Sequence, residues 1–149
     1  MKIRPVLTAL ATAGLASVSV LTAIPAQAAS SIEFRTIYVN SPGSDSRSNS
    51  SLNAEYATLK NTSTATKTLT GMTVRDTSGH VYTFGTFKLT AGASVKLHTG
   101  TGTNTASHRY WGSGNYIWNN SGDTARLKSS SGATLDTCSW GTVSSTTAC

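Results

Sequence analysis

Gly71, Gly79, Gly92, Gly102, Gly112, Gly122 and Gly132 fall about every ten residues through the second half of the chain. That interval fits short strands joined by turns, as in a β-sandwich or barrel. The stretch Tyr110 to Trp140 shows the pattern most fully. It concentrates Trp111, Tyr116, Trp118 and Trp140 in a chain otherwise short of large rings. Three turn signals punctuate it, ending at Gly114, Gly122 and Gly132. Between the last two, Ala125 and Leu127 alternate with Thr124, Arg126 and Lys128, the period of a strand with one wet face. The stretch therefore reads as a β-meander whose rings supply core volume.

The rest of the chain agrees. In Ser31 to Asn40, Ile32, Phe34, Thr36 and Tyr38 are expected on one side of a first strand, and Glu33, Arg35, Ile37 and Val39 on the other. Ser41 to Asn53 reads as a long polar loop. Glu55 to Lys60 should carry Ala57 and Leu59 inward, and Thr62 to Thr70 suits an edge or a loop. Met72 to Asp76 and His80 to Phe84 flank Thr77-Ser78-Gly79 as a hairpin. Phe87 with Leu89, and Val95 with Leu97, mark two further short strands before the loop Thr99 to Ser107. No segment after residue 28 shows helical periodicity. The reading is all-β, a two-sheet antiparallel β-sandwich.

The N-terminus reads differently. Lys2 and Arg4 precede an apolar or small run from Val6 to Ile24, and Pro25-Ala26-Gln27-Ala28 offers an A-x-A cleavage pattern. Residues 1–28 are thus expected to be an export signal, with no stable membrane insertion after cleavage and a secreted, extracellular product. The remaining 121 residues suffice for one domain with a sizeable core. We expect that domain at 29–140 and a C-terminal tail at 141–149. Lys2 and Arg4 would leave with the signal, so the balance falls from +6 to ten cations against six acids, +4. That suits solubility and weak attraction to anionic polymers. Cys138 and Cys149 are the only cysteines. In an oxidising compartment they are expected to pair and staple the tail, worth about 3 kcal/mol by loop-closure entropy.

A search for chemistry yields no catalytic, metal or cofactor set. Ser113 follows Trp111 by two residues, so no G-x-S-x-G elbow exists, and H-E-x-x-H and G-K-[ST] are absent. Gly100-Thr-Gly102 lacks the third glycine of a dinucleotide loop. His80, His98 and His108 have no ligand spacing and read as surface or half-buried imidazoles. Asp45-Ser-Arg-Ser-Asn49 fails as an EF-hand: Arg47 stands at a ligand position and Ser50 at the bend. A looser site using Asp45 and Glu55, and a simple loop cap at Asp45, both stay open. Asp123 is expected to accept backbone N–H groups of its own turn, and Trp118 to belong to the core. Trp111, with Tyr110 and Tyr116, is the candidate aromatic surface. Arg75, Lys96 and Lys128 are candidates for one basic patch, whose nucleic-acid binding would be weak and salt-sensitive.

Leu52-Asn-Ala-Glu-Tyr56 running into Leu59-Lys-Asn61, Leu69-Thr-Gly-Met-Thr-Val-Arg-Asp76, Gly79 to Phe84, His98-Thr-Gly100, Tyr110-Trp-Gly112 and Trp118 to Leu127, closed by Asp136, occur in a familiar order. The sequence resembles bacterial secreted lamin tail domain proteins, an immunoglobulin-like family. The match covers roughly Ile32 to Trp140, with Met72 where the family usually carries a Trp. The resemblance implies an immunoglobulin-like sandwich and a binding or scaffolding module with no active site of its own. Its partner would be an unknown extracellular protein or a cell-envelope polymer. Two other readings compete: a secreted hydrolase or nuclease with a His/Asp site hidden in the sequence, and a weak anionic-polymer binder using a basic sheet face.

Overall fold

The computed structural model describes residues 30–149, so the expected export signal lies outside the described residues. Among those residues no helix is long and apolar enough to cross a membrane. The elements run β1 (Ile32–Tyr38), α1 (Asn49–Ala54), β2 (Tyr56–Asn61), β3 (Lys67–Thr68), β4 (Thr73–Arg75), β5 (Val81–Thr83), β6 (Lys88–Leu89), β7 (Ser94–His98), β8 (His108–Tyr110), β9 (Asp123–Lys128), β10 (Thr134–Trp140) and β11 (Thr146–Ala148). They form a five-stranded sheet, β11-β1-β2-β7-β8, and a four-stranded sheet, β10-β9-β4-β5. The small pair β3-β6 makes a third sheet. This is the all-β two-sheet sandwich that the strand pattern predicts, consistent with the immunoglobulin-like fold that the resemblance implies.

The two main sheets bury their alternating aliphatics against each other. Val95 and Leu97 of β7 and Ala125 and Leu127 of β9 are all buried, as their period requires. β1 departs from its expected faces. Phe34 pairs with Leu59 but Thr36 pairs with Thr58, leaving Arg35 as the extra residue of a bulge. One inserted residue reverses the parity beyond it. Ile32 and Phe34 are therefore joined in the core by Ile37 and Val39, while Tyr38 turns outward. Asp136 of the opposite sheet accepts the Phe34 N–H at the bulge, at 2.7 Å.

Three further expectations are corrected. β7 and β8 run parallel, so the sandwich is not antiparallel throughout. The connection 99–107 is long enough to carry the chain back along the sheet, which a tight hairpin cannot do. The polar loop after Pro42 contains α1, one turn and a half with Leu52 as its only buried residue. So short a helix has no period to detect; its signal is local, with Ser48 Oγ accepting the Ser51 N–H as an N-cap. Finally, Tyr110 to Trp140 is not one meander. Residues 111–122 hold no strand and cross from the five-stranded sheet to the β9-β10 hairpin, bringing Ile117 and Trp118 into the core on the way.

The C-terminal segment adds β11 to the edge of β1, and Cys149 is bonded to Cys138 of β10. The bridge joins the two main sheets covalently.

Candidate functional site

The outer face of the four-stranded sheet is where charge gathers. Arg75 of β4 stands directly opposite Arg126 of β9, and Thr73 opposite Lys128. The inward partners on these strands are Val74, Ala125 and Leu127, so the three cations share the outer side. Thr124 and Ser139 lie alongside, with their hydroxyls 2.9 Å apart, and Val81, opposite Arg75, is 43% exposed. No carboxylate answers the cations there. Asp123 and Asp76 are 6% and 5% exposed and turned to backbone donors, and Asp136 reaches across to Phe34. The sequence suggested Arg75, Lys96 and Lys128 as one patch. The structure groups Arg75 and Lys128 with Arg126, and places Lys96 on β7 of the other sheet. Lys128 and Arg126 alternate with buried residues on one strand, a signal that could have brought Arg126 into the set.

The outer face of the five-stranded sheet carries rings instead. The register aligns Tyr38 with Tyr56, Tyr56 with His98 and His98 with Tyr110. Their centroids are 5.6, 5.5 and 5.1 Å apart along the row. The Lys96 ammonium sits 4.3 Å from the centre of the Tyr56 ring. His98 Nδ1–H donates to the Asn53 carbonyl at 2.7 Å, which leaves Nε2 to accept from His108 Nδ1–H at 2.8 Å. Burial holds His98 below the usual imidazole range, with the His108 and Lys96 charges acting the same way against the Asn53 bond. Sequence reasoning missed this row, because the bulge at Arg35 decides which way Tyr38 points.

The candidate aromatic surface is divided. Tyr110 belongs to the row above. Trp111 is half-buried between Tyr82 and Trp118, at 5.8 and 5.9 Å between centroids. Tyr116 shares a 2.6 Å hydrogen bond with Ser51 of α1. Trp118 is 4% exposed and packs edge-on against Trp140, so it is core.

Beneath these rings lies Glu55, fully buried at 0% exposure. Its Oε1 accepts from Thr99 Oγ1 at 2.6 Å and from the backbone N–H groups of Ile117 and Trp118 at 2.8 and 3.3 Å. One carboxyl oxygen thus fixes the strandless crossing to the start of β2. Burial pushes its pKa up to about 7, more than those three hydrogen bonds lower it, and the Asp123 charge adds to the rise. Asp123 accepts the Asn119 and Thr124 N–H groups of its own turn, as expected, and also Thr77 across the sheet.

The histidines do not converge. His98 and His108 adjoin on the five-stranded sheet, whereas His80 pairs with Asp76 on the β4-β5 hairpin. Among the described residues no three His, Cys, Asp or Glu side chains are grouped to hold a metal. No curated protein matches the chain. A family model described as Lamin Tail Domain matches residues 25–142.

Proposed function

The chain belongs to the lamin tail domain family, and from that premise we propose that it works outside the cell as a non-catalytic docking module for an anionic cell-envelope polymer. The observation that carries this reading is the outer face of β4 and β9. Arg75, Arg126 and Lys128 project from one sheet face with hydroxyls between them, while the neighbouring carboxylates face inward. Paired strands set such side chains at a regular spacing, suited to a repeating anionic backbone rather than to one small ligand. The surrounding threonines and serines add neutral donors without opposing charge.

Binding of this kind is electrostatic and falls steeply with salt. The test is retention of the purified chain on heparin and on duplex DNA across a salt gradient. Retention that fades with salt, and is lost when Arg75, Arg126 and Lys128 are replaced by Gln, supports the reading. Salt-independent passage through both columns ends it. Turnover of ester, phosphodiester or glycan substrates that is abolished by His98→Ala or His108→Ala would instead favour an enzyme.

A further inference from the structure

The sequence has six acidic residues, and the structure answers most of them. Glu33 pairs with Arg35 at 3.4 Å. Both oxygens of Asp76 accept hydrogen bonds, as do both of Asp123 and both of Asp136. The exceptions are Glu55 and Asp45. Glu55 Oε2 is buried with no hydrogen-bond partner among the protein's atoms, although Oε1 of the same carboxyl has three. Asp45 is exposed and belongs to neither of the two ion pairs among the described residues. An orphaned oxygen on a fully buried carboxyl is costly and asks for a partner.

Glu55 and Asp45 line the same cavity, of about 150 Å³, together with Asn40, Ser41, Trp118 and Asn119. No Lys, Arg or His lines it, in a chain with 12 Lys and Arg. We propose that this cavity binds a hard divalent cation of calcium's size, with Glu55 Oε2 and the Asp45 carboxylate as its anionic ligands. The chemistry of the walls selects the ion. No sulfur or imidazole is present to favour zinc or copper. Asn40 Nδ2 donates to the Ser144 carbonyl at 2.9 Å, which leaves its Oδ1 as a neutral oxygen. Two carboxyls from separate segments, with neutral oxygens and water completing the shell, suit calcium's loose geometry of six to eight oxygens better than magnesium's rigid octahedron. The ion would tie the exposed Asp45 loop to the start of β2. With only two charges the site belongs in the weak extracellular class, with a dissociation constant of about 10⁻⁴–10⁻³ M.

The experiment is thermal unfolding and isothermal titration of the purified chain with calcium chloride, beside magnesium chloride and sodium chloride at matched ionic strength. Calcium is expected to raise the unfolding midpoint in the millimolar range and magnesium to do so far less. Asp45→Asn should weaken calcium binding about tenfold or more while leaving the midpoint in EDTA unchanged, because Asp45 holds nothing else in place. Glu55→Gln keeps an acceptor for Thr99, Ile117 and Trp118 and should remove the calcium response. Equal midpoints with calcium and magnesium, no response at all, or undiminished calcium binding by Asp45→Asn would each overturn the proposal. So would a heat of binding with methylammonium in place of calcium, which would mark the cavity as an amine site.

Discussion

The two outer faces of the sandwich use the same strand geometry to opposite ends. On the five-stranded sheet, cations are answered. Lys96 lies over Tyr56, Lys60 stands opposite Glu33, and Glu33 also pairs with Arg35. On the four-stranded sheet Arg75, Arg126 and Lys128 have no ion-pair partner among the described residues, and their polar neighbours are hydroxyls, such as Thr73 Oγ1 at 3.2 Å from Arg75 Nε. A count of basic residues cannot tell these faces apart. What distinguishes them is which partners the register sets opposite each cation.

The largest effect should come from the interior between the faces. Glu55 titrates near 7 in the folded chain against an ordinary value of 4.5. A raised carboxyl pKa means the folded state holds the proton more tightly, so its stabilisation is complete below pH 4.5 and is lost as pH rises through 7. In EDTA, chemical denaturation should show stability falling by about 3 kcal/mol between pH 5 and 8, and Glu55→Gln should flatten that slope. Polymer retention over the same range should not change, because arginine and lysine keep their charge. If retention tracks stability instead, the basic face is not independent of the core.

Next comes the contrast between the faces themselves. Replacing Arg75, Arg126 and Lys128 together by Gln should reduce the slope of log affinity against log salt by about three on duplex DNA. Lys60→Gln with Lys96→Gln on the other sheet should change it little. Both variants should unfold within about 0.5 kcal/mol of the parent. Equal losses of binding from the two faces would mean that net charge alone governs retention.

The sequence carried much of this fold and less of the site. Alternation at β9 and in the β4-β5 hairpin, with Gly79 at φ +97° in the turn, was legible because each feature is local. The bulge at Arg35 was not. Nothing in Glu33-Phe34-Arg35-Thr36 announces an extra residue, yet it reverses every side chain after it. The parallel pairing of β7 and β8 was hidden because it depends on the path of residues 99–107. Sequence spacing groups Lys96 with Arg75, and the structure separates them because sheet membership is a property of pairing rather than of spacing. The sequence leaves Asp45 and Glu55 as two acids ten residues apart, and the fold brings both to one cavity.

A smaller test probes whether the aromatic row is structural. Tyr56 is stacked on Tyr38, tilted on His98 and covered by Lys96. Tyr56→Ala should cost about 2 kcal/mol through lost ring contacts and leave heparin retention intact. A variant that stays stable but loses retention would move the docking surface to the five-stranded face.

The smallest expected effect lies in the same row. His98 is neutral by preference, because burial outweighs the Asn53 hydrogen bond and His108 and Lys96 add positive charge nearby. A depressed pKa contributes stability that is present above the unfolded value of 6.5 and is lost as pH falls through the folded one. Acidification should therefore weaken the five-stranded side, opposite in sign to the effect of Glu55. The two can be separated by substitution: in Glu55→Gln the remaining acid-side loss should belong to the row, and adding His98→Gln should reduce it. An unchanged acid slope in the double variant would mean that the Asn53 carbonyl and the neighbouring rings hold His98 in place whichever charge it carries.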